Sequence, residues 1–402
     1  MTIRRGVATF GDSEDVASWS GIAHYLIRAG SQCGFLAGGL DLRVVNYARS
    51  RTIWQAECVF RGEKPRGFQY SGPFLDLFSK LALEECQRRE LQEAISHYQL
   101  LPARRLLEHS IRTSFYIDTT LVHLFEPYAW LNRRIAKEAI EKEREGYRVA
   151  SRVISMASWV RDSLEHYYGL PPERIFTVLP GANLPEKEVK AKLEETGPSI
   201  APDRFTRDRP MRIGYTGKDW KRKGLPRLVD AVEILNRMGI PSEVVVIGNL
   251  PEQYRTRPCV RAAGFIDKSR EATRFIDIAG GCDVGCAPSH EEPMGIAPLE
   301  YLRLGIPVLC TAAGGLKDVC AAAGAASVLL SKDATAEEIA AEFESVSRDG
   351  DRLRSMQAAA WKRKDHFSWE RTVRELQRIW EPASRQSSEP PAPSTMQTQS
   401  VG

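Results

Sequence analysis

Apolar residues in this chain fall in short bunches between polar loops, and bunches of strand length alternate with bunches at helical spacing. Arg5 to Phe10 predicts a strand, and Ile22 to Ala29, with Gly30 and Gly34 beyond it, predicts a helix. After Gly72-Pro73, apolar residues such as Leu77 and Leu81 recur at helical spacing to about Arg89. Ala94-Ile95-Ser96 and Ser110 to Tyr116 predict strands that end at His97 and at Asp118-Thr119-Thr120. Phe125 to Tyr147 reads as helix, dense in charge and mostly solvated. Arg152 to Ser155 is a strand, Ser158 opens a helix, and Phe176 to Leu179 is a strand closed by Pro180-Gly181-Ala182-Asn183. Residues 41–69 give no clear period: Leu42, Val44, Val45 and Thr52-Ile53-Trp54 are apolar but mixed with charge.

Residues 184–210 are polar, with Lys/Glu pairs and prolines, and read as a linker. From Met211 the alternation starts again. Strands are expected at Met211–Tyr215, Glu243–Ile247, Arg261–Ile266, Val308–Cys310 and Ala326–Leu330, with a helix at Leu225–Met238. Ile278 to Ala287, small and apolar with Asp283 inside, reads as a further strand, stopped by Pro288. Residues 383–402 are rich in Ser, Pro and Gln and read as disordered. The repeated strand–helix order predicts an α/β fold: two doubly wound domains, 1–183 and 211–366, each a parallel sheet with helices on both faces.

Two strand-to-helix junctions carry candidate chemistry. At the first, Cys286-Ala287-Pro288 leads through Glu292, Gly295 and Ile296 into a helix containing Pro298, Leu299 and Glu300, which stops at Gly305 before Pro307. A helix N-terminus attracts anions through its unpaired amides. Two carboxylates beside an anion site make sense if the ligand also carries hydroxyls. A sugar nucleotide has both parts; the plainer alternative is a helix start with favourable acidic residues. At the second junction, Thr216-Gly217-Lys218-Asp219-Trp220-Lys221-Arg222-Lys223-Gly224 sets a cationic loop between glycines. Open α/β sheets bind ligands at the carboxyl ends of their strands, where this loop falls, so diphosphate binding is preferred over a merely solvated basic run.

Glu292-x7-Glu300 with Gly295 and Pro298 between, Gly217-Lys218 followed by Lys223-Gly224, and Phe367-Ser368-Trp369-Glu370 near the end together resemble the motifs of retaining GT-B glycosyltransferases of family 4. The resemblance is strongest over 211–382 and fainter over 1–183. It implies the GT-B arrangement, with the two domains facing each other across a cleft and residues 367–382 crossing back to the first. It implies that Lys218 and Lys223 neutralise a donor diphosphate, that Glu300 holds ribose hydroxyls and Glu292 those of the transferred sugar, and that the backbone at Gly295 and Ile296 faces the phosphates. Glu292, Lys218 and Lys223 would be the catalytic set. Phe265 to Lys268 would meet the base, and Ser20 and Gly21 would border the acceptor. Lys218 departs from the family's usual Arg, exchanging a bidentate contact for a point charge, and Met294 departs from its usual Phe. His97 and Asp118, at strand ends facing the expected cleft, are acceptor-side candidates; the family's histidine stands at the second of these ends, where this chain has Asp118.

The implied activity is transfer of a sugar from a nucleotide diphosphate to a glycan, lipid-linked or small-molecule acceptor with retained anomeric configuration. No cofactor or metal is expected, for the sequence has no Cys/His ligand spacing. A non-catalytic nucleotide-sugar-binding protein and a GT-B epimerase or phosphorylase stay open as alternatives. A dinucleotide oxidoreductase is disfavoured, because neither glycine loop has the Gly-x-Gly-x-x-Gly spacing.

Composition adds limits. The 402 residues exceed one ordinary core, and 43 % apolar with 27 % charged is typical of a globular chain. A net charge of +4 does not argue for nucleic acid, while a local basic face could still meet the anionic inner face of a membrane. No apolar run reaches the roughly 18 residues of a transmembrane helix, and the start carries no signal-like apolar stretch. Eight scattered cysteines read as free thiols, so the chain is expected to be cytoplasmic.

Overall fold

The computed structural model describes residues 3–126 and 132–381. The expected disordered tail and part of the charged stretch from Phe125 lie outside the described residues. Thirteen described strands are β1 Arg5–Ala8, β2 Gly11–Asp12, β3 Asp41–Leu42, β4 Glu93–Ser96, β5 Arg112–Ile117, β6 Arg152–Ser155, β7 Ile175–Thr177, β8 Met211–Gly217, β9 Ser242–Gly248, β10 Val260–Gly264, β11 Val284–Ala287, β12 Val308–Thr311 and β13 Ser327–Leu330. They form one five-stranded sheet in the order β1-β4-β5-β6-β7 and one six-stranded sheet in the order β10-β9-β8-β11-β12-β13. Every pairing in both is parallel; β2 and β3 make a separate antiparallel pair. The α/β class and the two doubly wound sheets are as expected.

The physical cause is in the side chains. Val244 to Ile247 on β9 and Val284 to Ala287 on β11 are buried at every position, as befits strands covered on both faces. Around them the helices Leu225–Arg237 and Ala336–Arg348 turn Leu228, Val232, Ile339 and Phe343 inward. Numbered from β8, the second sheet has the order 3-2-1-4-5-6, so the winding reverses between β8 and β11. Ligands of such sheets lie outside the carboxyl ends of the strands at that reversal. The two motif loops leave from β8 and β11.

Several local readings are corrected. Ile278 belongs to the helix Ala272–Gly280, and the strand begins only at Val284. An apolar run alone does not distinguish a buried helix end from a strand. Residues 41–69 hold the helix Ala48–Phe60, which buries only Trp54 and Cys58 and so lacks a strong apolar stripe. The polar stretch read as linker contains the helix Glu186–Thr196. Its Glu186 pairs with the buried Arg303 at 2.5 Å.

The two sheets share a core. One buried cluster runs from Val7 and Leu26 through Ala182 and Val189 to Phe275, Leu299 and Trp369. The helix Trp369–Trp380 returns to the first sheet, where the Trp380 indole donates to the Oε2 of buried Glu93 at 2.9 Å. Arg371 and Thr372 donate to the Leu179 carbonyl at 2.8 and 3.0 Å.

Candidate active site

The loop after β8 is wound tight by Lys223 N–H to the Asp219 carbonyl, Gly224 N–H to Lys221 and Leu225 N–H to Trp220. Gly224 has φ +69°, and a Cβ there would stand 1.8 Å from the Pro288 carbonyl oxygen. The loop after β8 therefore touches the loop after β11, and only a glycine permits the approach. Gly217 serves a second purpose: a Cβ on it would stand 2.6 Å from Lys223 Cδ, so its absence lets that side chain fold across the strand end.

The loop after β11 is held from three sides. Arg222 donates to the Glu291 carbonyl at 2.5 Å, Gly315 N–H to the Glu292 carbonyl at 3.1 Å, and the Trp159 indole, from the first domain, to the Pro293 carbonyl at 2.9 Å. None of these anchors was evident in the sequence, because each is a side chain or amide meeting a main-chain carbonyl of a distant loop. Gly295, at φ +93°, then caps the helix Ile296–Arg303, leaving its first amides without intrahelical partners.

The carboxylates lie on either side of this cap. Glu292 accepts from Lys223 Nζ at 2.9 Å and from Ser289 Oγ at 3.3 Å, with Arg222 at 3.9 Å. Glu300, 2 % exposed, is paired with Lys268 Nζ, which also donates to the Asn183 carbonyl at 3.2 Å. Burial raises the Glu300 carboxyl above its ordinary range, and Lys268 opposes that rise. Lys268, expected near the base, is thus the direct partner of Glu300. Lys218 is exposed, and its ammonium lies 5.1 Å over the Phe265 ring. Lys223, Glu292, Gly295, Ile296, Glu300 and Lys218 accordingly gather around the strand ends at the winding reversal. Met294 is buried.

On the first domain the strands β1, β4 and β5 lie side by side and end on polar residues. Among the described residues, Thr9 Oγ1, His97 Nε2 and Asp118 Oδ1 are buried without a hydrogen-bond partner. Buried polar atoms are nearly always paired, so three open ones at adjacent strand ends suit a polar ligand. His97 Nδ1 lies 2.6 Å from the Tyr116 carbonyl, so that nitrogen carries the proton and Nε2 is left as an acceptor. Burial pushes the imidazole down to about 4. Burial, with a contribution from the charge of Glu292, pushes Asp118 up to about 6. Ser20, at φ +56°, presents its carbonyl to Asn183 Nδ2 at 2.7 Å, and Gly21, at φ +85°, caps the helix Ile22–Gln32. Those contacts give Ser20 and Gly21 structural work. Between the domains a cavity of about 590 Å³ is lined by Thr119, His123 and Trp159 on one side and Arg222, His290 and Glu292 on the other.

Residues 201–363 match the family model described as glycosyl transferases group 1. The chain is 24 % identical over 268 residues to the D-inositol 3-phosphate glycosyltransferase of Rhodococcus jostii, a match covering 60 % of this chain and 53 % of that protein. It is 26 % identical over 266 residues to the alpha-maltose-1-phosphate synthase of Mycolicibacterium smegmatis, covering 60 % and 66 %. The chain spans about half the length of the first of these curated relatives. Among solved structures it resembles sucrose-phosphate synthase from Thermosynechococcus elongatus (TM-score 0.67, 15 % identity, 94 % of this chain and 98 % of that one). It also resembles Anabaena HepE in complex with UDP-glucose (TM-score 0.60, 14 % identity, 94 % and 99 %). The chain therefore has the GT-B fold, and its second sheet and the loops that build the site lie within a match to the group 1 glycosyl transferases.

Proposed function

We propose that this protein is a glycosyltransferase that moves a sugar from a nucleotide diphosphate donor to a hydroxyl acceptor with retained anomeric configuration and without a metal. The observation that carries the reading is the pairing of Glu292 with Lys223 and of buried Glu300 with Lys268 on either side of the Gly295 cap, at the winding reversal of the second sheet. A donor entering the site takes over these contacts: hydroxyls go to the carboxylates, and phosphates go to the lysines and the amides at 295–297. As the diphosphate departs, Lys218, Lys223 and those amides stabilise the charge it gains, an arrangement that needs little reorganisation. The acceptor approaches from the first domain, where Thr9, His97 and Asp118 offer open polar atoms. Domain closure over the cavity keeps water from the donor.

The relatives' names point to phosphorylated sugars and polyols as the first acceptors to try, and the HepE complex points to uridine as the first base. Thermal unfolding against uridine, guanosine, adenosine and thymidine diphosphates tests the donor site. A ligand at about 100 times its Kd adds roughly 2.7 kcal/mol to the native state. One nucleotide is expected to raise the midpoint, with the rise lost in Glu300→Ala. No rise with any of the four, or a rise indifferent to Glu300→Ala, refutes the donor assignment.

A further inference from the structure

A second cavity, of about 620 Å³, lies within the first domain, away from the paired carboxylates. That volume is in the range of small-molecule sites. Its wall is an aromatic cage: Trp54 stands 5.3 Å from Phe68, Phe68 5.6 Å from Phe74, and Phe74 5.9 Å from Phe10, ring to ring. Three arginines, 43, 51 and 66, also line it, and among the described residues no acidic side chain does. Arg43 is occupied, bonding Asp41 at 2.5 Å with Asp12 at 3.8 Å. Arg51 and Arg66 are exposed and have no carboxylate within 4 Å among the described residues. Trp54 is 3 % exposed and forms part of the buried aromatic wall.

We propose that this cavity binds a phosphate- or carboxylate-bearing ligand with a ring or acyl body. The rings of Trp54, Phe68, Phe74 and Phe10 pack the body, and Arg51 and Arg66 neutralise the anion. Guanidinium forks suit such anions, and aromatic faces take ring or C–H surface. Resting on the transferase reading, the site holds the anionic end of the acceptor. Gly11 lines the cavity and opens the same loop that carries Ser20, whose carbonyl meets Asn183, which in turn meets Lys268. The cavity is thus one loop away from the donor carboxylates. Two sources share this chemistry, a soluble phosphorylated sugar or polyol and an anionic lipid headgroup. The helix Ala48–Phe60 beside the cavity exposes Ile53, Val59 and Phe60.

Phenyl phosphate, titrated calorimetrically into the full chain, is the probe for the soluble source. Vesicles of phosphatidylcholine with and without phosphatidylglycerol, assayed by flotation, probe the lipid source. Arg51→Glu and Arg66→Glu are exposed substitutions that leave the core intact. Loss of one charge-assisted contact is expected to weaken phenyl phosphate about tenfold or more in either arginine variant. Glu300→Ala should leave it unchanged. Retention on phosphatidylglycerol vesicles that is lost in Arg51→Glu assigns the lipid source, and phenyl phosphate binding without retention assigns the soluble one. The proposal is overturned if neither probe binds, if both arginine variants bind as the parent does, or if Glu300→Ala abolishes phenyl phosphate binding, which would place the probe in the donor site. The arginine variants should keep the nucleotide-dependent rise in unfolding midpoint. If that rise is absent in every variant and in the parent, the donor reading fails while the cavity's affinity still stands or falls by its own titration.

Discussion

Asp118 shows how much of this site is decided by the surroundings of single residues. Its Oδ1 is buried without a donor among the described residues, and burial, more than the nearby charge of Glu292, raises the carboxyl from 3.8 to about 6. A group whose folded pKa is raised contributes stability that is complete below its unfolded pKa and is lost as pH rises through the folded one. For Asp118 the loss falls between about pH 4 and pH 6. Asp118→Asn removes it, so the variant should unfold at the parental temperature near pH 4 and at a higher temperature than the parent at pH 7.5. Parallel curves at both pH values would show that Asp118 is not the titrating group. His97 acts in the opposite sense: burial lowers the imidazole from 6.5 to about 4, so its contribution to stability is complete above about pH 6.5 and is lost as pH falls towards 4, and His97→Ala should remove that loss. At this scale the sequence was half legible. Glu292, Glu300, Lys218 and Lys223 could be picked out because they fall in two short motifs at loops after strands. Lys268 as the partner of Glu300, and Arg222, Gly315 and Trp159 as anchors of the 291–293 carbonyls, could not. Each of those contacts joins segments far apart in the chain, and no local spacing encodes them.

At the scale of the element, the loop between β8 and the helix Leu225–Arg237 is positioned by its glycines. Gly224→Ala would place a methyl group 1.8 Å from the Pro288 carbonyl in a left-handed backbone, so the two motif loops must part. Gly239 has a similar φ of +78° but open space around its missing Cβ, and Gly239→Ala measures the backbone cost alone. Both variants should lose stability, by about 1 kcal/mol for Gly239→Ala. Only Gly224→Ala should also weaken nucleotide diphosphate binding, about tenfold or more, because Lys223 leaves Glu292. Equal nucleotide affinity in the two variants would mean that the contact of the loops does not place Lys223. Elements were legible in proportion to how one-sidedly they bury apolar residues. β9 and β11 stand out as continuous apolar runs, and the helix Leu225–Arg237 as a clean stripe. The helix Ala48–Phe60 did not stand out, because Ile53, Val59 and Phe60 face outward in a helix with six polar or charged residues and only two of its residues are buried.

In the whole molecule, the two domains and the returning helix meet at one asparagine. Asn183 is fully buried. Its Oδ1 accepts from the Trp369 indole at 3.0 Å, its Nδ2 donates to the Ser20 carbonyl at 2.7 Å, and its own carbonyl accepts from Lys268 at 3.2 Å. The first contact ties the crossover helix, the second the loop after β1, and the third leads to Glu300. The sequence offered Pro180-Gly181-Ala182-Asn183 as the end of the first domain, but a chain position does not disclose that its side chain is shared by three parts of the fold. Asn183→Ala leaves the buried Trp369 indole N–H unpaired, at about 1–3 kcal/mol, and takes the donor from the part-buried Ser20 carbonyl. Asn183→Asp keeps the acceptor for Trp369 and loses only the donor to Ser20, while adding a buried charge next to the Lys268–Glu300 pair. Both should lower the unfolding midpoint. Because the Lys268 contact is to the main chain, Asn183→Ala should weaken nucleotide binding only as far as the backbone shifts. Asn183→Asp should weaken it more, since a second buried carboxylate competes with Glu300 for Lys268. The opposite ranking, with Asn183→Ala the weaker binder, would show that the asparagine acts by holding the domains together and not through the charge balance at Glu300.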